Sequence, residues 1–462
     1  MTVVKVENPF NQEVIAELTL STWDELDAML QQAADTFADK AQRLAAHERI
    51  VILNRCAELM LEQKDELAML IATEGGKPLK DAIIEVDRAI DGVQLAAKEL
   101  LGLKGEQIPM DLTAAGAGRL AFTYREPIGP VVAVSAFNHP LNLIVHQVAP
   151  AIAVNAPILI KPANDTPLSA KKFVDLLYQA GLDKKWCRFF LAKREDTERV
   201  VTDPRTAFFT FIGSPGVGWY LRSKLAPGTR CALEHGGAAP VIVDKQVDID
   251  AILPSIVKGG FYHSGQVCVS VQRIYVDNHI LDDFVRKLVE QVGKLVVGDA
   301  REGNTDCGPL IRPKECQRVA EWVEQAKQSG AQIPIGGKAL TSTLYEPTVI
   351  LNPADDLNVS SKEIFGPVVC VYGYDHITEA YQRANNVPFS FQAAVYTQSL
   401  EVALQAQHQL EASAVMVNDH SAFRVDWMPF AGRKESGYGI GGIPYTMHDF
   451  TEEKMVVIKL PT

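Results

Sequence analysis

The sequence has no run of 18 or more apolar residues, the length a membrane-spanning helix needs. The longest candidate, 148–160, is broken by Pro150, Asn155 and Pro157. The opening residues carry Lys5, Glu7 and Glu13 and hold no apolar signal core. No two cysteines are spaced C-x-x-C, and their number, seven, is odd. That pattern suits reduced thiols in a cytoplasm rather than a disulfide framework or a zinc knuckle. Cations are short as well: 45 Lys and Arg stand against 57 Asp and Glu, a net charge of −12. Such a surface repels phosphate backbones and anionic lipid, which argues against nucleic acid or membrane as the main partner.

Several chemical signatures are missing too. There is no H-E-x-x-H, no G-x-x-x-x-G-K-[ST] and no G-x-S-x-G, so zincin, P-loop and serine-hydrolase chemistry have no support. The strict dinucleotide motif G-x-G-x-x-G is also absent, as are repeats and low-complexity tracts.

What is there is a chain of 462 residues, 47% hydrophobic and 22% charged, long enough for two or three globular domains. Residues 21–101 read as successive helices. Ser21 or Thr22 caps the first, and Leu26, Met29, Leu30 and Ala33 recur at helical spacing. Glycines and Pro109 break the segment 102–125, which ends in a strand-like run at 120–124. From Val131 strand, turn and helix repeat. The apolar runs 131–137, 157–161, 189–193 and 207–212 read as strands, followed by helices from Asn138, at 167–180, near 196–202 and at 219–225. Such alternation specifies a doubly wound parallel sheet covered on both faces, with ligands at the carboxyl ends of its strands. A second α/β unit spans 236–419. The tail 454–460 reads as a lone strand with no partner nearby, which invites pairing with another subunit.

Four places carry chemistry, each with a plainer reading beside it. The turn Gly213-Ser214-Pro215-Gly216-Val217-Gly218 after the fourth strand offers backbone N–H groups to a pyrophosphate, or is a left-handed turn and nothing more. Cys268, in Gly265-Gln266-Val267-Cys268, is a nucleophile or a small buried hydrophobe. Glu234, beside two glycines, is a general base or an exposed carboxylate. Asn138 caps a helix or donates its amide to a developing oxyanion.

Seven stretches in one order tip the balance: EPIGPVVAVSAFNHPLN, KPANDTPLSA, FIGSPGVG, LEHGG, GQVC, EIFGPVV and PFAGRKESGYG. Together the chain resembles the aldehyde dehydrogenase superfamily from about residue 120 to 460. The resemblance implies a dinucleotide-binding domain (1–110 and 128–235), an α/β catalytic domain (236–445) and a small β oligomerisation element (111–127 and 446–462) that makes a dimer or tetramer. It implies that Cys268 attacks an aldehyde and that its N–H and the Asn138 amide hold the oxyanion. A hydride then leaves for a nicotinamide, and Glu234 activates water to hydrolyse the thioester. It gives Lys161 to the adenosine ribose, Gly213 and Ser214 to the pyrophosphate, and Glu363 and Phe365 to the nicotinamide ribose. NAD-selective relatives often carry Glu where this chain has Asn164, so the cofactor is NAD or NADP with a modest lean to NADP. Many members carry Lys where this chain has Gln147, and the closing glycine run is Gly439-Ile440-Gly441.

For the substrate, a helix starting at Asn138 would bring His139, Asn142, Leu143 and His146 onto neighbouring turns. Val267 beside the nucleophile is apolar, and the loop before PFAG carries Arg424 and Asp426. These segments look most like those of members acting on lactaldehyde, glyceraldehyde and similar small polar aldehydes. Arg424 anchors an anionic tail, or pairs with Asp426 or another acid to brace its loop. Two rivals remain on the same fold, a CoA-acylating semialdehyde dehydrogenase and a non-catalytic protein. The presence of Glu234 opposes the first, and that of Cys268 and Asn138 the second.

Overall fold

The computed structural model describes residues 2–461, so Met1 and Thr462, which end two of the segments delimited above, lie outside it. The chain is built on two large sheets and a small antiparallel ribbon. The first sheet takes, in chain order, Val131–Val134, Ile158–Lys161, Cys187–Phe189, Phe208–Ile212, Arg230–Glu234 and Gly437–Tyr438. The first five are parallel, and the last adds antiparallel to Arg230–Glu234 at one edge. Winding runs outward from Val131–Val134 in both directions, so the switch point lies between that strand and Phe208–Ile212. A crevice therefore opens beyond Val134 and Ile212.

Period-two alternation splits each strand between two cores. Val131, Ala133, Ile158, Ile160 and Phe208 face the helices Ala46–Glu62, Lys64–Gly75, Leu79–Lys98, Asn142–Ala153 and Pro167–Gln179. Val132, Leu159, Phe209 and Phe211 face Trp23–Ala38, Arg194–Thr202 and Pro215–Arg222. Both faces are covered, as a doubly wound sheet requires. Thr22 caps the first helix through a reciprocal capping box with Glu25. An N-terminal hairpin, Val3–Glu7 with Val14–Thr19, precedes it and was not legible as such.

Three local expectations are corrected. The third strand is Cys187–Phe189, not 189–193. The apolar residues Phe190, Leu191 and Ala192 are buried beyond its end, and the Leu191 carbonyl accepts from Ser21 N at 2.7 Å. The helix after the first strand starts at Asn142 rather than Asn138. Pro140 disfavours helix at the residue before it, and the Glu85 carboxylate accepts from Leu141 N and Asn142 N, both at 3.0 Å, which sets the start there. The tail is not a lone strand. Thr451–Lys459 pairs antiparallel with Arg119–Pro127 over nine residues, with Gln107–Ile108 on the far side.

The second sheet has seven strands, in the spatial order Gln332–Ile335, Thr348–Leu351, Val368–Tyr374, Val271–Asp277, Ala239–Val243, Gln392–Tyr396, Ala414–Val417. All neighbours are parallel except the first pair. Val241, Val243, Ile274 and Val276 face the helices Ile249–Phe261 and Leu281–Val292. Ile242, Tyr275, Cys370 and Tyr372 face Pro313–Gln328, Ile377–Asn385 and Leu400–Gln409. Among the described residues no helix is long and apolar enough to cross a membrane.

Candidate active site

The two sheets meet over a cavity of about 610 Å³. The switch point supplies one wall, Ser135–Asn138 and Ile212–Ser214, while the loop leading into Val271–Asp277 supplies another through Val267, Cys268 and Val269.

The loop that presents Cys268 is strained in its backbone. His263, Ser264 and Gly265 have φ of 47°, 54° and 70°, three consecutive left-handed residues of which only the last is glycine. His and Ser there cost on the order of 1–3 kcal/mol each, so the surroundings must impose the shape. Ser264 Oγ donates to Gly308 O at 2.6 Å, and Gln266 Nε2 donates to Pro309 O at 3.2 Å. Gln266 Oε1 accepts from Ile311 N at 3.0 Å. A Cβ on Gly265 would overlap the Gly366 carbonyl, so glycine is required both for its φ and for that approach. Burial pushes the Cys268 thiol up to about 12, and the Arg424 guanidinium opposes the rise.

Glu234 ends its strand with its carboxyl facing the cavity and Gly441, where no Cβ would fit. Burial raises its pKa, again against Arg424. Asn138 lies in the turn held by Glu85, which also pairs with Lys77, both fully buried. Its Nδ2 donates to Gln266 O at 2.9 Å, so Asn138 is no helix cap. An amide NH₂ carries a second proton, which remains for a ligand.

At the turn expected to meet a pyrophosphate, no glycine of 213–218 has positive φ, so it is not a left-handed turn. Helix Pro215–Arg222 begins inside it. Ser214 stands at the N-cap with no side-chain cap bond, and Gly216 opens onto free space. Glu363 is half-buried, with a shielded Oε1 that lacks a partner and its pKa pushed up to about 8 by desolvation, and a Cβ at Gly236 would overlap it. Phe365, in left-handed backbone at φ 48°, meets Phe137 edge-on at 5.8 Å. An orphaned carboxyl oxygen, an open helix N-terminus and a glycine cradle fit a dinucleotide. Lys161 and Asn164 do not line the cavity. They sit at the end of Ile158–Lys161 with Ala163 between them on the wall, and Lys161 Nζ donates to Asn164 Oδ1 at 3.1 Å.

On the opposite side His139, Leu143, Val267 and Arg424 line the cavity, whereas His146 is set behind the wall. Its Nε2 lies 2.7 Å from Asp426 Oδ1 and its Nδ1 3.3 Å from Arg424 Nη2. Burial first, then Arg424, lowers the His146 pKa to about 4, so the ring is neutral, donating to Asp426 and accepting from Arg424. The expected Arg424–Asp426 pair does not form. Asp426 is held by Arg88 at 2.7 and 3.1 Å, by Asn142 at 3.1 Å and by His146. Arg424 instead stacks 3.5 Å from the Phe430 ring centroid, with Nε partnerless. Among the described residues it has no acidic partner at ion-pair distance.

The sequence reading missed Arg88, Tyr262, Arg312 and Arg318, which also line the cavity. Arg88 sits in the amphipathic helix Leu79–Lys98 and looks like any solvent-facing cation. Its partner Asp426 is 338 residues away, and no local pattern signals that.

Three comparisons bear on this geometry. The model of the aldehyde dehydrogenase family matches residues 1–456. The 3-sulfolactaldehyde dehydrogenase of Priestia aryabhattai is 38% identical over 99% of this chain and 95% of its own length. The glyceraldehyde-3-phosphate dehydrogenase GapN of Methanocaldococcus jannaschii, solved with NADP, superposes with a TM-score of 0.94 at 32% identity, covering 99% of each chain. The lactaldehyde dehydrogenase of Methanococcus vannielii is 34% identical over 98% of this chain and 96% of its own.

Proposed function

The chain belongs to the aldehyde dehydrogenase family and is an oxidoreductase that oxidises an aldehyde with NAD or NADP, and from that premise we propose the roles of its residues and the kind of aldehyde it takes. The observation that carries the reading is that Cys268, Glu234 and Asn138 line one cavity with the open N-terminus of helix Pro215–Arg222. Cys268 loses its thiol proton to solvent, and the thiolate Sγ adds to the carbonyl carbon to give a thiohemiacetal in its oxyanion form. Its oxyanion faces the Cys268 N–H and the free proton of the Asn138 amide. The bound nicotinamide supplies the hydride acceptor. What is left on Cys268 is a thioester. Glu234, its pKa raised by burial, takes a proton from the water that attacks it, releasing the acid and the thiol.

Gly213 and Ser214 would hold the pyrophosphate, Glu363 the nicotinamide ribose beside Phe365, and Lys161 with Asn164 the adenosine ribose. In this reading 1–110 and 128–235 form the dinucleotide-binding domain, 236–445 the catalytic domain, which lends the edge strand Gly437–Tyr438 to the first sheet, and 111–127 with 446–462 the oligomerisation element of a dimer or tetramer. Leu120, Phe122, Met455, Val457 and Ile458 are exposed on the ribbon, a surface suited to a second copy. Seven unpaired cysteines suit a cytoplasmic protein.

The substrate is a small polar aldehyde of the lactaldehyde, sulfolactaldehyde or glyceraldehyde type, flanked by His139, Leu143, Val267 and Arg424. Arg424, which among the described residues has no acid at ion-pair distance and feels the Glu234 charge only from farther off, favours an anionic tail. The test is NAD(P)H formation across a panel of neutral and anionic short aldehydes with both cofactors. Oxidation by the wild type and none by Cys268→Ala supports the reading. A panel with no turnover, or a Cys268→Ala protein as active as wild type, overturns it.

A further inference from the structure

A carboxylate is not missing from the adenosine-ribose corner; it stands one residue along. Asp165 follows Asn164 in the loop after Ile158–Lys161, close enough to Lys161 that its charge opposes the burial-driven fall of the lysine pKa. Asp165 is held from across the crevice. Arg312, the N-cap residue of helix Pro313–Gln328 in the second unit, forks it, Nε donating to Oδ1 at 2.6 Å and Nη2 to Oδ2. Arg312 and Ala163 both line the cavity. The pair is partly open to solvent, with side chains 39% and 22% exposed, so its contribution to stability is small. Its effect on local charge is not small. A bidentate guanidinium offsets part of the negative charge that Asp165 places near Lys161. The other charge acting on Arg312 is Glu315, which itself contacts Lys314 and Arg318, while Lys5 and Glu7 line the surface beside the fork and Lys5 pairs with Glu17.

We propose that Arg312 is a specificity-determining residue for the dinucleotide: by masking Asp165 it lets a 2′-phosphate approach Lys161, and without it the chain favours NAD. This rests on the placement of the adenosine ribose at Lys161. Arg312 acts through Asp165, so removing both charges should undo the effect of removing one.

The experiment compares catalytic efficiencies with NAD and NADP for wild type, Arg312→Gln, Asp165→Asn and the double variant. Arg312→Gln is expected to lower the NADP-to-NAD ratio about five- to tenfold, the scale of one partly screened charge pair, chiefly through KM for NADP. Asp165→Asn should leave the ratio unchanged or raise it, and the double variant should return to within about twofold of Asp165→Asn. An Arg312→Gln variant that weakens both cofactors equally makes the fork merely structural and overturns the proposal. So does a double variant that stays NAD-shifted. Lys161→Gln separates the two layers. If it changes neither cofactor's KM, the placement of the ribose is wrong; if it acts while Arg312→Gln leaves the ratio alone, only the role of Arg312 falls.

Discussion

The side-chain amide of Asn138 donates to the backbone carbonyl of Gln266 at 2.9 Å, joining the turn after the first strand of one sheet to the loop that carries Cys268 in the other unit. Each end is fixed independently, Asn138 through the Glu85-capped turn and Gln266 through its own side chain to Pro309 and Ile311. The amide and the thiol are thus held in register before any ligand arrives, which is what electrostatic stabilisation of an oxyanion demands.

Cys268→Ala should lose dehydrogenase activity by on the order of a thousandfold or more while still binding dinucleotide, because the nucleophile is gone and the cradle is intact. Steady-state rates and cofactor titration by fluorescence measure the two separately. Substantial residual turnover by a folded variant would remove Cys268 from its role.

Glu234→Gln should slow hydrolysis of the thioester more than its formation. The expected trace is a burst of NAD(P)H of about one equivalent followed by slow turnover. Equal losses in burst and steady state would move Glu234 to an earlier step.

Thiol reactivity should climb with pH. Burial holds the Cys268 pKa near 12 when no ligand is present, so the thiolate fraction grows about tenfold per unit between about pH 7 and 10. Iodoacetamide labelling in a Cys231→Ser background, followed by mass spectrometry, reads this out. Arg424 opposes the shift, so Arg424→Gln should label more slowly at every pH. Labelling already complete and flat from pH 7 would contradict the buried-thiol picture.

Asn164→Glu should shift catalytic efficiency toward NAD by on the order of tenfold, since it puts a carboxylate that Arg312 does not pair beside Lys161, whose Nζ now donates to Asn164 Oδ1 at 3.1 Å. Parallel kinetics with both cofactors decide it, and an unchanged ratio would locate cofactor choice elsewhere.

Truncation after Glu453 removes most of the strand paired with Arg119–Pro127 and should convert the expected dimer or tetramer to smaller species by light scattering. A wild-type protein that is monomeric would end this reading of the ribbon.

Much of this was readable from the chain because it is encoded locally. The apolar strands alternate with helices, the phosphate turn follows Ile212 directly, and Cys268 sits in a contiguous glycine-bearing loop. What escaped was set by distant partners. Glu85 moves a helix start by four residues through carboxylate bonds across 56 and 57 positions. Arg424 looked bound to Asp426 two residues away, yet Arg88, 338 residues from that acid, had claimed it. Asp165 and Arg312 lie 147 residues apart, with no periodicity to join them.

The ribbon also orders events in time. Lys454 reaches Glu126 across 328 positions, so Arg119–Pro127 is synthesised long before the strand it pairs with. Throughout that interval it is an open edge bearing exposed Leu120 and Phe122, a template that any extended neighbour can extend. A nascent chain therefore carries its stickiest segment early and its remedy last. Crowded synthesis should favour cross-pairing between unfinished copies until the final strand arrives.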